Sequence, residues 1–300
     1  MTAANEEALT YYSRPGVMTD PGKLSDLLTN LPTDLAGLCQ VVQGSLVHIF
    51  WADRYGLDLA DEQKQTVEVR PVRDKLARLR EMDSQPLATP RPLEQRQVGN
   101  CRDFSLLLCA ILRHQGRPAR ARCGFGVYFL PGHFEDHWVC EVWNAEQDRW
   151  VLVDAQLDAL QRQALSIPFD PLDVPRDQFI VASEAWQMCR TGQADPDCFG
   201  IFDMHGIWFI WGNVMRDFLA LNKVEILPWD SWESTYWSKQ LSDPPAPEPE
   251  MTKYDRLAAL PLGVDDNFAE VRRYFEAEPQ IQPPARWYAL EKSAGGEANS

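Results

Sequence analysis

Several features that would assign a chain to a class at once are missing from this sequence of 300 residues. Its apolar runs, such as residues 47–52 and 207–211, fall well short of the roughly 20 residues that a membrane-spanning helix needs. Its first residues carry acids where a secretion signal carries bases, and no apolar segment of signal length follows them. These absences predict a cytoplasmic protein without membrane association.

Basic charge is also scarce. The chain has 29 Lys and Arg residues against 44 Asp and Glu residues, which gives a formal net charge of −15, and no basic stripe interrupts this excess. An acidic surface repels phosphate backbones. The sequence therefore predicts no nucleic-acid partner.

Paired cysteines are absent too, since the seven cysteines are an odd number and none has the C-x-x-C spacing. Such thiols are typical of a reducing compartment, where most pack as small core side chains, and we expect Cys109 to do so. His133, His137 and Cys140 have a spacing that suggests zinc. Strand alternation puts Cys140 on the face opposite His137, however, so we expect no metal and no other cofactor.

The chain does contain a clear succession of patterns. Residues 1–83 predict a helical segment, in which Asp34 caps a helix that continues to Phe50 and a second helix covers residues 72–82. Residues 104–112 are apolar on nearly all sides, as in a helix at the centre of a domain. Runs rich in Val, Trp, Tyr and Phe predict antiparallel strands at residues 119–130, 137–143 and 150–155.

The remaining sequence completes a four-part division. We expect a catalytic core over residues 84–165 and an aromatic-rich extension over residues 166–240 that packs on it. Residues 241–300 predict a proline-rich linker at 242–250, a short helix near 267–276 and a tail from 293. The fold class is α+β, with a central helix packed on an antiparallel sheet.

Three side chains carry the candidate chemistry. Cys101 stands where the apolar helix begins, His137 opens one predicted strand, and Asp154 closes the next. A helix N-terminus and a protonated imidazole both stabilise a thiolate, so we expect a reactive sulfur at neutral pH if His137 lies beside it. Hairpin register can put Asp154 opposite or diagonal to His137. Thiol, imidazole and carboxylate are the groups that nucleophilic acyl transfer uses.

Simpler interpretations exist for each group. Cys101 could be a buried thiol, although the polar residues around it favour catalysis, and His137 alone could be a strand histidine bonded to a carbonyl. Asp158 is a rival for the orienting carboxylate. Glu141 shares the predicted face of His137, and we expect it to be solvated.

Two further features bear on the site. The Cys101 backbone N–H is one candidate donor to an oxyanion, and the side chain of Gln95 or Gln97 could supply a second. Trp208 and Trp211 have helical spacing, which favours a core helix over the alternative of aromatic walls around a cleft.

The segments GNCRDF (residues 99–104), DHWVCEVW (136–143) and RWVLVD (149–154) resemble the core of the transglutaminase-like superfamily. The resemblance covers about residues 90–160. It implies a papain-like core in which Cys101, His137 and Asp154 form a catalytic triad. It also implies a Cys101 thioester formed from an amide or peptide substrate, with hydrolysis favoured because the chain resembles the bacterial-type, hydrolytic branch.

Departures from the family pattern narrow the choice of activity. The chain lacks the paired zinc cysteines of peptide N-glycanases, which argues against that activity, and Ala155 stands where relatives often have proline. Arylamine N-acetyltransferases share the residue order and use a coenzyme A thioester. Their nucleophile, however, lies between paired glycines and a glutamate that this chain does not have. A binding or scaffold module that retains the triad is the non-enzymatic alternative.

Overall fold

The computed structural model describes residues 3–232, 234 and 248–287. None of the helices in these ranges is long and apolar enough to cross a membrane. The helices are α1 (Ala3–Tyr12), α2 (Leu35–Ser45), α3 (Asp61–Lys64), α4 (Val72–Met82), α5 (Cys101–His114), α6 (Ala159–Ala164), α7 (Ala182–Arg190), α8 (Ile207–Leu221), α9 (Glu248–Leu262) and α10 (Val264–Ala277). The strands are β1 (Leu46–His48), β2 (Gln97–Gly99), β3 (Ala119–Gly126), β4 (Phe134–Asn144), β5 (Arg149–Val153), β6 (Phe179–Val181), β7 (Phe199–Ile201) and β8 (Met204–His205).

The larger sheet has the order β6-β3-β4-β7-β8, and β5 also pairs with β4. Strand β4 runs antiparallel to β3, with His137 opposite Gly124, and antiparallel to β5, with Cys140 opposite Val153. Only its first residues pair in parallel with β7. The three predicted strands are therefore present, and the α+β class with a mainly antiparallel sheet is confirmed.

Helix α5 is the buried centre of the fold, as the sequence predicts. Every residue from Cys101 to Arg113 is buried. The helix packs on β4, where the Sγ atoms of Cys109 and Cys140 lie 3.1 Å apart, so Cys109 is a core side chain as expected. Gly116 adopts a left-handed φ of +74° after the helix, a conformation that glycine takes at little cost.

The helix expected from Leu35 to Phe50 is correct as far as Ser45 and wrong for residues 46–50. Asp34 caps it, since its Oδ1 accepts the N–H of Gly37 at 2.8 Å, but α2 ends at Ser45. The chain continues as β1, which pairs in parallel with β2. Apolar spacing alone fits either state over so short a run, and a partner strand far along the chain decides between them. The change of structure brings His48 beside the residues that precede Cys101.

Charged side chains lie buried between the large sheet and α8. Asp217 of α8 accepts hydrogen bonds from Arg122 Nε and from the N–H of Cys123, both at 2.9 Å. Glu141 is 1% exposed and accepts from Arg120 and Arg122, so the expectation that it is solvated is wrong. Burial opposes its ionisation, but the surrounding arginines hold the pKa of Glu141 well below its usual range.

The C-terminal helices differ in part from expectation. The predicted helix near residues 267–276 lies within α10, but α9 already begins at Glu248, so the predicted linker is wrong for residues 248–250. Helix α9 has buried Tyr254, Leu257 and Ala258 at helical spacing, and this apolar face stabilises it despite the prolines. The rest of that linker, residues 242–247, and the tail from residue 293 lie outside the described residues.

The first turn of α5 is held by a buried cluster of charges. Asp103 Oδ1 lies 2.9 Å from both Lys75 Nζ of α4 and Arg102 Nη1, and all three side chains are 0% exposed. Asp103 Oδ2 accepts the N–H of Asn100 at 3.1 Å, which satisfies the backbone just before the helix. The cluster thus joins α4 to the residues on either side of Cys101.

Replacement of Asp103 by Ala tests this cluster. It leaves the charges of Lys75 and Arg102 buried without their carboxylate, so we expect the free energy of unfolding to fall by about 3–5 kcal/mol. Urea unfolding followed by circular dichroism measures the loss. Asp74→Ala, on the exposed side of α4, is the matched control and is expected to change stability by at most about 0.5 kcal/mol. Equal stability of the two variants would contradict the role of the cluster.

Candidate active site

A cavity of about 680 Å³ opens where the start of α5, the start of β4 and the first turns of α8 meet. Cys101 and His137 both line it. Its other walls are largely aromatic, and come from the segment after β1, from the β7–β8 hairpin, from α8 and from the segment after α8. The aromatic lining residues are Phe50, Trp51, Phe129, Phe202, Trp208, Phe209, Trp211 and Trp229.

Cys101 is placed by a strand that runs directly into a helix. Strand β2 ends at Gly99, Asn100 is extended, and Cys101 is the first residue of α5. The side chain is 8% exposed, at the edge of the cavity. The backbone N–H groups of Arg102 and Trp138 point at the sulfur, as is usual for an acceptor placed at a helix N-terminus.

His137 and Asp154 meet as the sequence predicts. Asp154 directly follows β5, and the register Cys140 to Val153 places it diagonal to His137 on the same face. His137 Nε2 lies 2.8 Å from Asp154 Oδ2, and both residues are 1% exposed. Because Nε2 faces the carboxylate, Nδ1 is the ring nitrogen left to face the thiol.

Two donors that the sequence did not indicate fix the carboxylate further. The hydroxyl of Tyr128 donates to Asp154 Oδ2 at 2.6 Å, and the N–H of Gln156 donates to Oδ1 at 3.0 Å. The ring of Phe129 packs edge-on to His137, with centroids 4.8 Å apart. No motif marks Tyr128 or Phe129, because both follow the end of β3 and reach the site only through the fold.

Asp158, the rival carboxylate, has other contacts. Its Oδ1 accepts the N–H of Gln161 at 2.9 Å, which caps α6, and its Oδ2 accepts the hydroxyl of Tyr55 at 2.7 Å. It therefore does not orient His137. As for a metal, no three His, Cys, Asp or Glu side chains within the described ranges are grouped so as to hold an ion.

The resting site does not favour the thiolate that we expected. Burial raises the pKa of Cys101, the Asp136 carboxylate raises it further, and the two backbone N–H groups offset this only in part. Asp136 is held in place by Asn213, whose Nδ2 donates to Oδ1 at 2.7 Å. Burial and the Asp136 charge thus favour the thiol form of Cys101 over the thiolate.

The two glutamines expected near the oxyanion do not line the cavity. Gln97 is buried in β2, where its Nε2 lies 3.5 Å from the carbonyl oxygen of Thr66. Gln95 lies in a short turn before that strand. His48, Asn100 and Gln156 line the cavity instead. His48 was missed because its apolar neighbours predicted a helix there rather than β1.

A comparison with protein families agrees with this geometry. Residues 59–155 match the model of the transglutaminase-like superfamily, and this segment contains Cys101, His137 and Asp154. Together with the α+β fold, the match supports a cysteine-dependent enzyme in general. This segment, about a third of the chain, is therefore similar to the transglutaminase-like superfamily.

Solved structures give a weaker likeness. A candidate cysteine protease from Cytophaga hutchinsonii is 15% identical, with a TM-score of 0.34, and the match covers 59% of this chain and 48% of that one. A red sea bream transglutaminase is 16% identical, with a TM-score of 0.32, and the match covers 49% of this chain and 28% of that one. The chain thus matches less than half the length of either. No curated protein matches it.

Replacement of Asp136 by Asn tests the protonation state of the sulfur. It removes a negative charge that disfavours the thiolate, so we expect the pKa of Cys101 to fall. At a pH below both pKa values, a pKa lower by one gives about tenfold more thiolate and correspondingly faster alkylation. The measurement is the rate of Cys101 modification by iodoacetamide against pH, followed by peptide mass spectrometry.

Glu135→Gln is the matched control for this experiment. Glu135 lines the same cavity and neighbours Asp136 in the chain, but its charge is not among those that act on the sulfur. We expect the dependence of the Cys101 alkylation rate on pH in this variant to follow that of the wild-type protein. If Asp136→Asn also leaves the profile unchanged, Asp136 does not disfavour the thiolate.

Proposed function

We propose that the chain is a cysteine-dependent acyl-transfer enzyme that cleaves an amide or peptide bond through a thioester on Cys101. The observation that supports this most directly is the buried His137–Asp154 hydrogen bond of 2.8 Å, at a cavity that Cys101 also lines. In this proposal Asp154 holds the imidazole, and His137 Nδ1 exchanges protons with the sulfur and the leaving group.

The first step forms the thioester. His137 Nδ1 accepts the Cys101 proton as the sulfur attacks the carbonyl carbon, and the C=O electron pair moves to oxygen. The oxyanion then collapses, the C–N bond breaks, and the imidazolium gives its proton to the departing amine. Cys101 is left as an acyl thioester and His137 as a neutral ring.

Water completes the reaction in the hydrolytic branch that we favour. His137 takes a proton from water as the oxygen attacks the thioester, and a second oxyanion forms. When it collapses, the C–S bond breaks, a carboxylic acid leaves, and the proton returns to the sulfur. An amine in place of water would give transfer by the same steps.

The charge of the cavity disfavours the coenzyme A alternative. Its lining includes the carboxylates of Glu135, Asp136 and Asp230 and the single guanidinium of Arg216. Phosphate recognition usually relies on clustered arginines, lysines or backbone N–H groups. We therefore expect incubation with acetyl-coenzyme A to leave Cys101 without an added acetyl mass.

The cavity also indicates the kind of group beside the scissile bond. Nine large apolar side chains in the described ranges are exposed, and five of them line this cavity. These five are Phe50, Phe202, Met204, Trp208 and Trp229, which are 42% to 67% exposed. Trp211, on the same helix as Trp208, is buried, so α8 contributes to both the core and the cleft.

We propose that an aromatic or branched apolar side chain of the substrate covers these five exposed cavity residues.

Replacement of the three triad residues tests the reaction. With blocked dipeptide 4-nitroanilides as probes, we expect Cys101→Ala to abolish release of nitroaniline and His137→Ala to slow it by about 10²–10⁴-fold. The rate of nitroaniline release by Asp154→Asn should lie between the rates of these variants and that of the wild-type protein. Cys198→Ser, a half-buried thiol outside the cavity, is the matched control and should keep full activity. Activity that survives Cys101→Ala would refute the proposal.

Trp208→Ala tests the preference for apolar substrates. We expect kcat/KM to fall by about tenfold for a probe with phenylalanine at the cleaved bond, because apolar area near the bond is no longer covered, and to change little for a glycine probe. The measurement is the ratio of the two kcat/KM values in both proteins. An equal fall for the two probes would show that Trp208 does not select the side chain.

A further inference from the structure

We propose that His48 is a further catalytic residue, whose Nε2–H donates, together with the backbone N–H of Cys101, to the oxyanion formed when the sulfur attacks a carbonyl carbon. The inference rests on the proposed function and adds a residue that lies outside the segment matched by the family model. Four observations carry it: the position of the ring, the hydrogen bond of its other nitrogen, its charge state, and the contacts of the competing donors.

The fold places His48 next to the start of α5. In the parallel pair of β1 and β2, His48 lies opposite Gly99, and the N–H of Ile49 donates to the carbonyl of Gly99 at 2.9 Å. The ring of His48 lies with its centroid 6.3 Å from that of Phe104, which follows Cys101 by one helical turn on the same side of α5. His48 is 6% exposed and lines the cavity that holds Cys101.

A backbone hydrogen bond determines which nitrogen carries the proton. The N–H of Phe50 donates to His48 Nδ1 at 3.2 Å, so Nδ1 acts as the acceptor of a neutral ring. In such a ring the other nitrogen, Nε2, bears the hydrogen and is the donor. The hydrogen bond thus presents an N–H group whose direction is fixed before any substrate binds, as oxyanion stabilisation requires.

The surroundings keep this ring uncharged. Burial lowers the pKa of His48 to about 3, and the neighbouring His137 contributes to the decrease, while Asp103 and Asp154 partly oppose it. A ring with that pKa does not compete with His137 as a base at neutral pH. It can therefore donate one hydrogen bond throughout the reaction without exchanging a proton.

The other polar side chains near the sulfur are less well suited. Gln156 Nε2 donates one of its two hydrogens to Gln161 Oε1 at 3.0 Å, which turns that amide toward α6 and leaves one hydrogen for any other acceptor. Asn100 also lines the cavity, and its side-chain amide makes no hydrogen bond within the described residues. Nothing therefore fixes the direction of the Asn100 amide, whereas the bond from Phe50 fixes that of His48. Asn100 is the rival donor, and the experiment includes it.

Two reactions at the same sulfur separate oxyanion stabilisation from thiol reactivity. With iodoacetamide, the sulfur displaces iodide from a saturated carbon, a C–S bond replaces the C–I bond, and no oxyanion forms. With 4-nitrophenyl acetate, the sulfur attacks the carbonyl carbon, an oxyanion forms and collapses, and 4-nitrophenolate leaves with the electron pair of the broken C–O bond. Only the second reaction needs the proposed donor.

The experiment measures the rates of alkylation and of acetylation at Cys101 in the full chain, both at a pH of about 8, where thiols react. We expect His48→Ala to slow acetylation by about 100-fold and to leave alkylation unchanged. His48→Gln retains a side-chain N–H donor and should recover part of the loss. His114→Ala, which replaces a histidine at the far end of α5, is the matched control and should change neither rate.

The outcomes are distinct. Unchanged acetylation in His48→Ala, or an equal fall in both rates, would overturn the assignment, since the first shows no donor role and the second an effect on the sulfur itself. A selective loss of acetylation in Asn100→Ala, with none in His48→Ala, would assign the role to Asn100. If 4-nitrophenyl acetate does not acetylate Cys101 of the wild-type protein faster than Cys198, the proposed function itself fails.

Discussion

The start of α5 is the constraint on which the rest of the site depends. Cys101, the proposed nucleophile, is the first residue of a helix buried along its length, so its position follows from whatever fixes that helix end. Asp103 does so from inside the protein, by pairing with Lys75 and Arg102 and by accepting the N–H of Asn100. Burying a carboxylate such as that of Asp103 costs desolvation energy. That cost is offset here by a specific role, since the carboxylate fixes one arrangement of the residues around Cys101.

Two strand pairings bring the other groups to that helix end. The β4–β5 hairpin places Asp154 diagonal to His137, and the hydrogen bonds from Tyr128 and Gln156 leave the carboxylate little freedom to rotate. The β1–β2 pair places His48 opposite Gly99, two residues before Cys101, and both His48 and Cys101 line the cavity. The site therefore joins a local contact, between neighbouring strands, with a contact between segments far apart in the chain.

This difference explains what the sequence could predict. α5, the three central strands and the meeting of His137 with Asp154 follow from patterns within a short stretch, where periodicity and hairpin register suffice. The position of His48 could not be predicted in this way, because residues 46–50 fit a helix and a strand equally well until their pairing with β2 is known. The sequence predicts a solvated Glu141 because strand alternation gives its face but not the three arginines that meet it there.

The same burial that raises the pKa of Cys101 strengthens the hydrogen bonds available to a transition state. In a cavity lined by aromatic rings, an oxyanion loses its contacts with water, and fixed N–H groups replace them at little cost of reorganisation. Burial also disfavours the ionised sulfur at rest, which agrees with the proposed role of His137 as the base that accepts the Cys101 proton during attack. Burial thus links the neutral thiol, the neutral His48 ring and the apolar cleft, since each follows from excluding water around the reacting carbonyl.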